Sequence, residues 1–307
     1  MQPNYLRLYK SGELDERIAQ LYGVLECCVL CPRECRKNRL KGERGYCRSG
    51  EELVVSAIHP HFGEEEPLVG RGRLWGVGGS GTIFLTGCSL GCVYCQNYDI
   101  SHLEQGRPIG AAELSRGMIE LQNMGCHNIN LVTPTHFVPQ LVKSIRVAIE
   151  SGLQIPIVYN CGGYESVSTI RLLEGIVDIY MPDIKYSDSQ NARKYSNAAD
   201  YFIHCEEAVR EMHRQVGDLQ LDSRGIAQRG LLIRHLILPN DLAGSREILR
   251  FIAEEISKDS YVNIMFQYRP MFKAGEYEEL NRRPTLDEYR RAVAMAQGFG
   301  LHRGFGS

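Results

Sequence analysis

The chain has 307 residues, 43% hydrophobic and 23% charged, with a formal net charge of −2. That is the composition of a globular protein, and it gives no electrostatic reason to expect nucleic acid or an acidic membrane as a general partner. No apolar run is long enough to span a bilayer, and the opening MQPNYLRLYKSGELDERIAQ lacks the hydrophobic stretch of a signal peptide, so the expected location is the cytoplasm.

Residues 13–26 carry the period of a short amphipathic helix and lead into a first cysteine group: Cys27, Cys28, Cys31, Cys35 and Cys47. From there to residue 79 the chain is rich in Gly, Pro and charge, with one strand candidate at 53–58. Residues 1–79 therefore read as an irregular module organised by metal rather than by a core. From residue 80 the pattern changes. Strands are expected at 82–86, 128–133, 155–159, 176–181, 231–238 and 261–267. Helical stretches follow them in turn at 111–124, 139–150, 165–173, 188–214, 245–257 and 286–298. Six strand–helix units in a row predict an α/β fold with a parallel sheet over 80–307. A partial barrel and an open doubly wound sheet both satisfy this pattern, and both place functional groups at the carboxyl ends of the strands.

Eleven cysteines in a cytosolic protein argue for metal or catalytic thiols rather than disulfides. Cys88, Cys92 and Cys95 follow the first strand of the series directly, within Thr86-Gly87-Cys88-Ser89-Leu90-Gly91-Cys92-Val93-Tyr94-Cys95. Three thiolates at this spacing suit three irons of a [4Fe–4S] cube and leave the fourth open to an exogenous ligand. A structural zinc site would want a fourth Cys or His close by, and the nearest, His102, is seven residues on. Gly87 and Gly91 suit a tight wrap around a cluster, and Tyr94 is placed to shield it.

The spacing and the surrounding GSGTIFLTGCSLGCVYCQNYDIS resemble the radical S-adenosylmethionine (SAM) superfamily, within it the glycyl radical enzyme activases typified by pyruvate formate-lyase activating enzyme, and most closely their PflX-like branch. The resemblance extends through CVLCPRECRKNR and HPHFGEEEPLVG and covers nearly the whole chain. It implies a partial (β/α)6 barrel behind a cysteine-rich N-terminal module, a [4Fe–4S] cluster on Cys88, Cys92 and Cys95, and SAM as co-substrate. An electron from the cluster would cleave SAM to methionine and a 5′-deoxyadenosyl radical, which abstracts hydrogen from a substrate. It also implies a reductant such as flavodoxin or ferredoxin, and a protein substrate with a glycyl radical loop.

Position by position, Thr133, Pro134 and Thr135 stand where activases carry a Gly-Gly-Glu-type stretch that grips the SAM amino group. Asn160 lines up with a residue that contacts SAM or helps hold a monovalent cation. In Met181-Pro182-Asp183-Ile184-Lys185, Asp183 would help bind that cation and Lys185 would pair with the SAM carboxylate. In Arg234-His235, His235 would lie near the adenosyl moiety. Without the resemblance, His235 reads as a core histidine, Asp183 and Lys185 as an ion pair on one strand face, and Cys161 as an unligated buried thiol.

Cys28, Cys31, Cys35 and Cys47 supply four thiolates, enough to close a site for zinc or a second iron–sulfur cluster, with Cys27 an alternative to Cys28. The acidic stretch His59–Pro67 reads either as a solvated loop or as a contact for SAM or a partner. Gln267-Tyr268-Arg269-Pro270 follows the sixth strand and is expected at the same rim, as a substrate contact or as packing. Two further functions fit the motif: radical chemistry on a small molecule or nucleotide, and a non-catalytic iron–sulfur electron carrier.

Overall fold

In the computed structural model, which describes residues 2–70 and 77–305, the strand series becomes one sheet. Its strands are β1 (Leu53–His61), β2 (Ser80–Leu85), β3 (Arg107–Ile109), β4 (Ile129–Val132), β5 (Ile157–Cys161), β6 (Ile179–Pro182), β7 (Gln220–Leu221), β8 (Ala227–Leu236) and β9 (Tyr261–Met265). The spatial order is β3-β1-β2-β4-β5-β6-β8-β7, with β9 also on β8. The pairs β2–β4, β4–β5, β5–β6, β6–β8 and β8–β9 are all parallel. The six parallel strands run in sequence order with no reversal, which separates this sheet from the doubly wound alternative. β9 pairs with β8, and β1 with β2 and β3, so the sheet curls as a partial barrel without closing.

Every residue of β4, β5 and β6 is buried, as expected of parallel strands covered on both faces. The outer cover is helical: α5 (Ala111–Asn123), α6 (Val138–Glu150), α7 (Val167–Leu172), α8 (Ser189–Ser196), α9 (Tyr201–Val216), α10 (Ser245–Phe251, continued by a π-turn over Ile252–Ile256) and α11 (Leu286–Gly298) are numbered after α1 (Tyr5–Ser11), α2 (Glu13–Val24), α3 (Glu66–Val69) and α4 (Tyr98–Ser101). α6 shows why such segments are helical. Pro139 sits in its first turn, and Leu141, Val142, Ile145 and Ala148 form one buried stripe. α11 begins with a capping box between Thr285 and Glu288.

The chain before β2 shares this architecture. β1 pairs antiparallel with β2, and Tyr5, Leu8, Leu14, Leu21, Leu53 and Val55 belong to the same buried cluster as the barrel strands. α3 and the loop before it cover the inner face: Leu68 is fully buried against Val158, Ile179, Met181 and Leu232, and its carbonyl accepts from Asn128. Among the described residues no helix is long and apolar enough to cross a membrane.

Candidate radical SAM site

β2 runs straight into the loop that carries Cys88, Cys92 and Cys95. Gly87 has φ +76°, and a Cβ there would lie 2.5 Å from the Cys47 carbonyl oxygen, so any other residue would meet both backbone strain and a clash. The loop is pinned along its length: Gly91 N–H donates to Ser196 O at 3.2 Å, Val93 N–H to Tyr195 O at 2.8 Å, and Arg33 Nε to Ser89 O at 2.9 Å. All three sulfurs meet polar hydrogens. Leu90 N–H donates to Cys88 Sγ at 3.3 Å, and Ser196 Oγ donates to Cys92 Sγ at 3.0 Å. Ser101 Oγ lies 3.1 Å from Cys95 Sγ. Burial, followed by the neighbouring thiols, pushes Cys88 up, while Lys185 pulls it down; in Cys92 burial again raises and Lys185 is the next and opposing influence. Tyr94 is buried between the rings of Tyr186 and Tyr268 at 6.3 and 5.7 Å and anchors the loop in the core. Cys88, Leu90 and Gly91 open onto a cleft of about 770 Å³ that is also lined by Tyr46, Cys47 and Phe272.

Lys185 and Asp183 project from the end of β6 beside these thiols. Lys185 Nζ donates to Asp183 Oδ2 at 2.6 Å, and Arg234 Nε on β8 donates to Asp183 Oδ1 at 2.7 Å. Arg234 Nη2 donates to Asn160 Oδ1 at 2.7 Å, so the guanidinium fills the space between Asn160 and Asp183. Burial would raise the Asp183 carboxyl, but Arg234 and Lys185 together hold it below the usual range. Burial would likewise discharge Lys185, yet Asp183 and Cys92 hold it charged. Arg234 Nη1 continues to Glu64 Oε2 at 3.4 Å and Glu65 Oε1 at 3.9 Å, and Asn263 on β9 donates to Glu65 Oε1 at 3.0 Å.

The acidic stretch is therefore not a solvated loop: the side chains of Glu64 and Glu65 are only 9% and 6% exposed. Burial and Glu65 push Glu64 up to about 7 against the pull of Arg234. Glu65 Oε2 and both amide atoms of Asn130 on β4 are buried with no hydrogen-bond partner among the described residues.

His235 lies elsewhere. Its neighbour Arg234 turns to the inner face, so period-two alternation turns His235 to the outer one. It is fully buried, Nδ1 lies 2.8 Å from Ile184 O, and Nε2 lies 2.9 Å from Ser245 Oγ on α10. Both ring nitrogens are occupied by the protein, which leaves none for a ligand. The second-strand residues are split as well. Thr133 stands at the strand end with φ +59°, strained for a β-branched residue, and its N–H donates to Asn160 O at 2.8 Å. Pro134 is buried in the same turn. Thr135 turns away to donate to Glu165 Oε1 at 2.7 Å. Cys161 is buried and free. Tyr268 is buried, with its hydroxyl on Leu280 O at 2.8 Å, a packing role.

Sequence reasoning passed over Ser101, Ser196 and the inward role of Arg234, and it left Glu64 and Glu65 open between solvent and a ligand. Only for Arg234 was a signal available: Gly230, Leu232 and Arg234 alternate along one strand face, ending in the polar residue. The rest depend on contacts between distant segments.

Of the N-terminal thiols, Cys28, Cys31 and Cys47 are buried and Cys35 is half-buried, while Cys27 is exposed. Among the described residues no three His, Cys, Asp or Glu side chains are gathered to hold a single metal ion, and this is true of the Cys88 loop also. For that loop the donor set fits a cluster. It offers three sheltered sulfurs already solvated by N–H and O–H groups, on a tight glycine-bounded wrap, with a charged lysine at hand for an anionic group.

Comparison with known proteins agrees with this geometry. Residues 82–219 match the Radical SAM superfamily, a stretch that runs from β2 through the thiol loop, β4, β5 and β6 to the end of α9. The chain carries a radical SAM superfamily domain, and members of that superfamily are enzymes of radical chemistry that generally use a [4Fe–4S] cluster and SAM. It is also 31% identical over 308 aligned positions to an uncharacterized protein of Methanocaldococcus jannaschii, covering 97% of this chain and 82% of that one.

Proposed function

We propose that this protein binds a [4Fe–4S] cluster through Cys88, Cys92 and Cys95, cleaves SAM reductively, and abstracts hydrogen from a protein substrate in the manner of the PflX-like glycyl radical enzyme activases. The observation that carries the reading is the convergence of the thiol loop with the Lys185–Asp183–Arg234 network at the strand ends. Once bound and reduced by one electron from a flavodoxin- or ferredoxin-type donor, the cluster and SAM supply the 5′-deoxyadenosyl radical. This chain's own residues do the positioning. Lys185, held charged, pairs with the SAM carboxylate. Asp183 fixes Lys185 and Arg234 in place, and Asn160 and the Thr133 turn shape the floor beneath. Arg234 and Lys185 already pair with Asp183, so the place that the resemblance gives a monovalent cation is taken by the guanidinium. Access for an extended protein segment is supported by the cleft onto which Cys88, Leu90 and Gly91 open.

Anaerobic reconstitution with SAM and dithionite tests the chemistry: 5′-deoxyadenosine is expected, and its absence with an intact cluster would favour an electron carrier. A glycyl radical EPR doublet on a co-purified protein tests the substrate. The unpartnered Asn130 amide and Glu65 oxygen in the barrel favour a second reading, a small polar hydrogen donor. Radical transfer to a metabolite or nucleotide, without any protein radical, would select it.

A further inference from the structure

Cys28, Cys31, Cys35 and Cys47 have no part in the chemistry above, yet their surroundings repeat those of the cluster loop. At Cys88 the N–H two residues on, from Leu90, points at the sulfur. The same i+2 arrangement brings the Arg33 N–H to Cys31 and the Ser49 N–H to Cys47. Cys35 Sγ accepts from Tyr46 N–H at 3.2 Å. At Cys28 the donor is Arg39, fully buried: its Nη1 lies 3.9 Å from the sulfur and donates to His136 O at 2.7 Å, while Nε and Nη2 both donate to Gly50 O. A neutral thiol gains little from such donors, whereas a thiolate ligand gains charge-assisted bonds. Burying an arginine against thiols is favourable only where they carry negative charge.

Cys28, Cys31 and Cys47 lie within electrostatic reach of one another, and the Tyr46 bond ties Cys35 to Cys47's flank. Cys27 is outside this group, exposed, with its sulfur 4.0 Å from Arg36 O. The sequence left Cys27 and Cys28 as alternatives, and the geometry favours Cys28. Zinc and an iron–sulfur cluster both take four thiolates; the N–H donors to sulfur and the cleft that Cys47 shares with Cys88 favour the cluster.

We propose that Cys28, Cys31, Cys35 and Cys47 hold a second iron–sulfur cluster, ligated by all four thiolates and seated against the loop of the first. The two sites touch through backbone: the Cys47 carbonyl packs on Gly87, next to Cys88, and Cys47 and Cys88 line the same cleft. Four protein ligands leave no open iron, so this cluster binds no SAM. Its place is beside the radical site, where it stiffens the loop and lies on the path of an incoming electron.

The test needs no SAM chemistry. The full chain with Cys88→Ala, Cys92→Ala and Cys95→Ala is reconstituted anaerobically and assayed for iron, sulfide and zinc. About four irons and four sulfides per chain are expected, with a dithionite-reduced EPR signal that SAM does not alter. Adding Cys28→Ser and Cys47→Ser should remove them, whereas Cys27→Ser should not. A folded triple variant (by far-ultraviolet circular dichroism) that carries zinc or no metal overturns the proposal, as does loss of iron on Cys27→Ser. Should the five-site variant not fold, the triple variant alone decides. A wild-type chain that forms 5′-deoxyadenosine with only one cluster's iron would sink this inference and leave the proposed function standing.

Discussion

The two ends of the barrel solve opposite problems with similar residues. At the mouth, Lys185 and Asp183 are held beside thiols in a loop that opens on a cleft, and each charge there has a partner of opposite sign. Deeper inside, Glu64 and Glu65 crowd onto one arginine, and Asn130 has no hydrogen-bond partner among the described residues. Arg234 belongs to both, since it bonds Asp183 on one side and reaches Glu64 on the other. Among the described residues the mouth is therefore compensated before any ligand arrives, whereas the interior keeps excess negative charge and unused hydrogen-bonding capacity.

The largest effects should come from the mouth. Cys92→Ala removes a ligand at the centre of the thiol loop, and loss of all 5′-deoxyadenosine formation is expected, with iron falling by one cluster per chain. Full turnover in that variant would move the radical site elsewhere. Asp183→Asn cuts the link between the ends. It leaves Lys185 and Arg234 as adjacent buried cations, and breaking such a pair costs about 3–5 kcal/mol. Urea denaturation should show that loss together with weaker SAM binding by equilibrium dialysis. A stable variant with unchanged affinity would mean the two ends are independent.

The mouth was legible in the sequence and the interior was not. Cys88, Cys92 and Cys95 carry their meaning in local spacing, and the six strands announce themselves as apolar runs whose helices share a buried stripe. The pattern left the order of those strands open between a partial barrel and a doubly wound sheet, and the parallel pairings settle it. His235 shows where such reading fails. Adjacent residues on a strand face opposite ways, and the resemblance gave the adenosyl contact to His235 rather than to its neighbour. The structure gives the inward place to Arg234 and the helix-facing one to His235. Glu64 and Leu68 were harder still. Their burial depends on a segment folding back into a barrel formed by residues up to 198 positions away in sequence, as with Glu65 and Asn263. An acidic run carries no local mark of that.

The interior gives smaller effects that sharpen the contrast. Leu68→Ala removes the side chain that fills the space between Val158, Ile179, Met181 and Leu232, and the cavity should cost about 2–5 kcal/mol. Cluster iron should stay at the wild-type level if the ends are separable, and parallel loss of iron and stability would show that they form one unit.

Glu64→Gln tests the excess charge itself. Folding raises the Glu64 pKa from 4.5 to about 7, chiefly by burial. The folded state therefore holds this proton more tightly than the unfolded chain does. The stability it contributes is fully present below about pH 4.5 and is lost as pH rises through about 7. Gln, which cannot ionise, lacks this dependence. Between pH 5 and pH 8 the wild type should lose about 2 kcal/mol relative to the variant, read from denaturation midpoints at a series of pH values. Parallel curves for the two proteins would show that Arg234 satisfies Glu64 after all, and the contrast between a compensated mouth and an uncompensated interior would go with it.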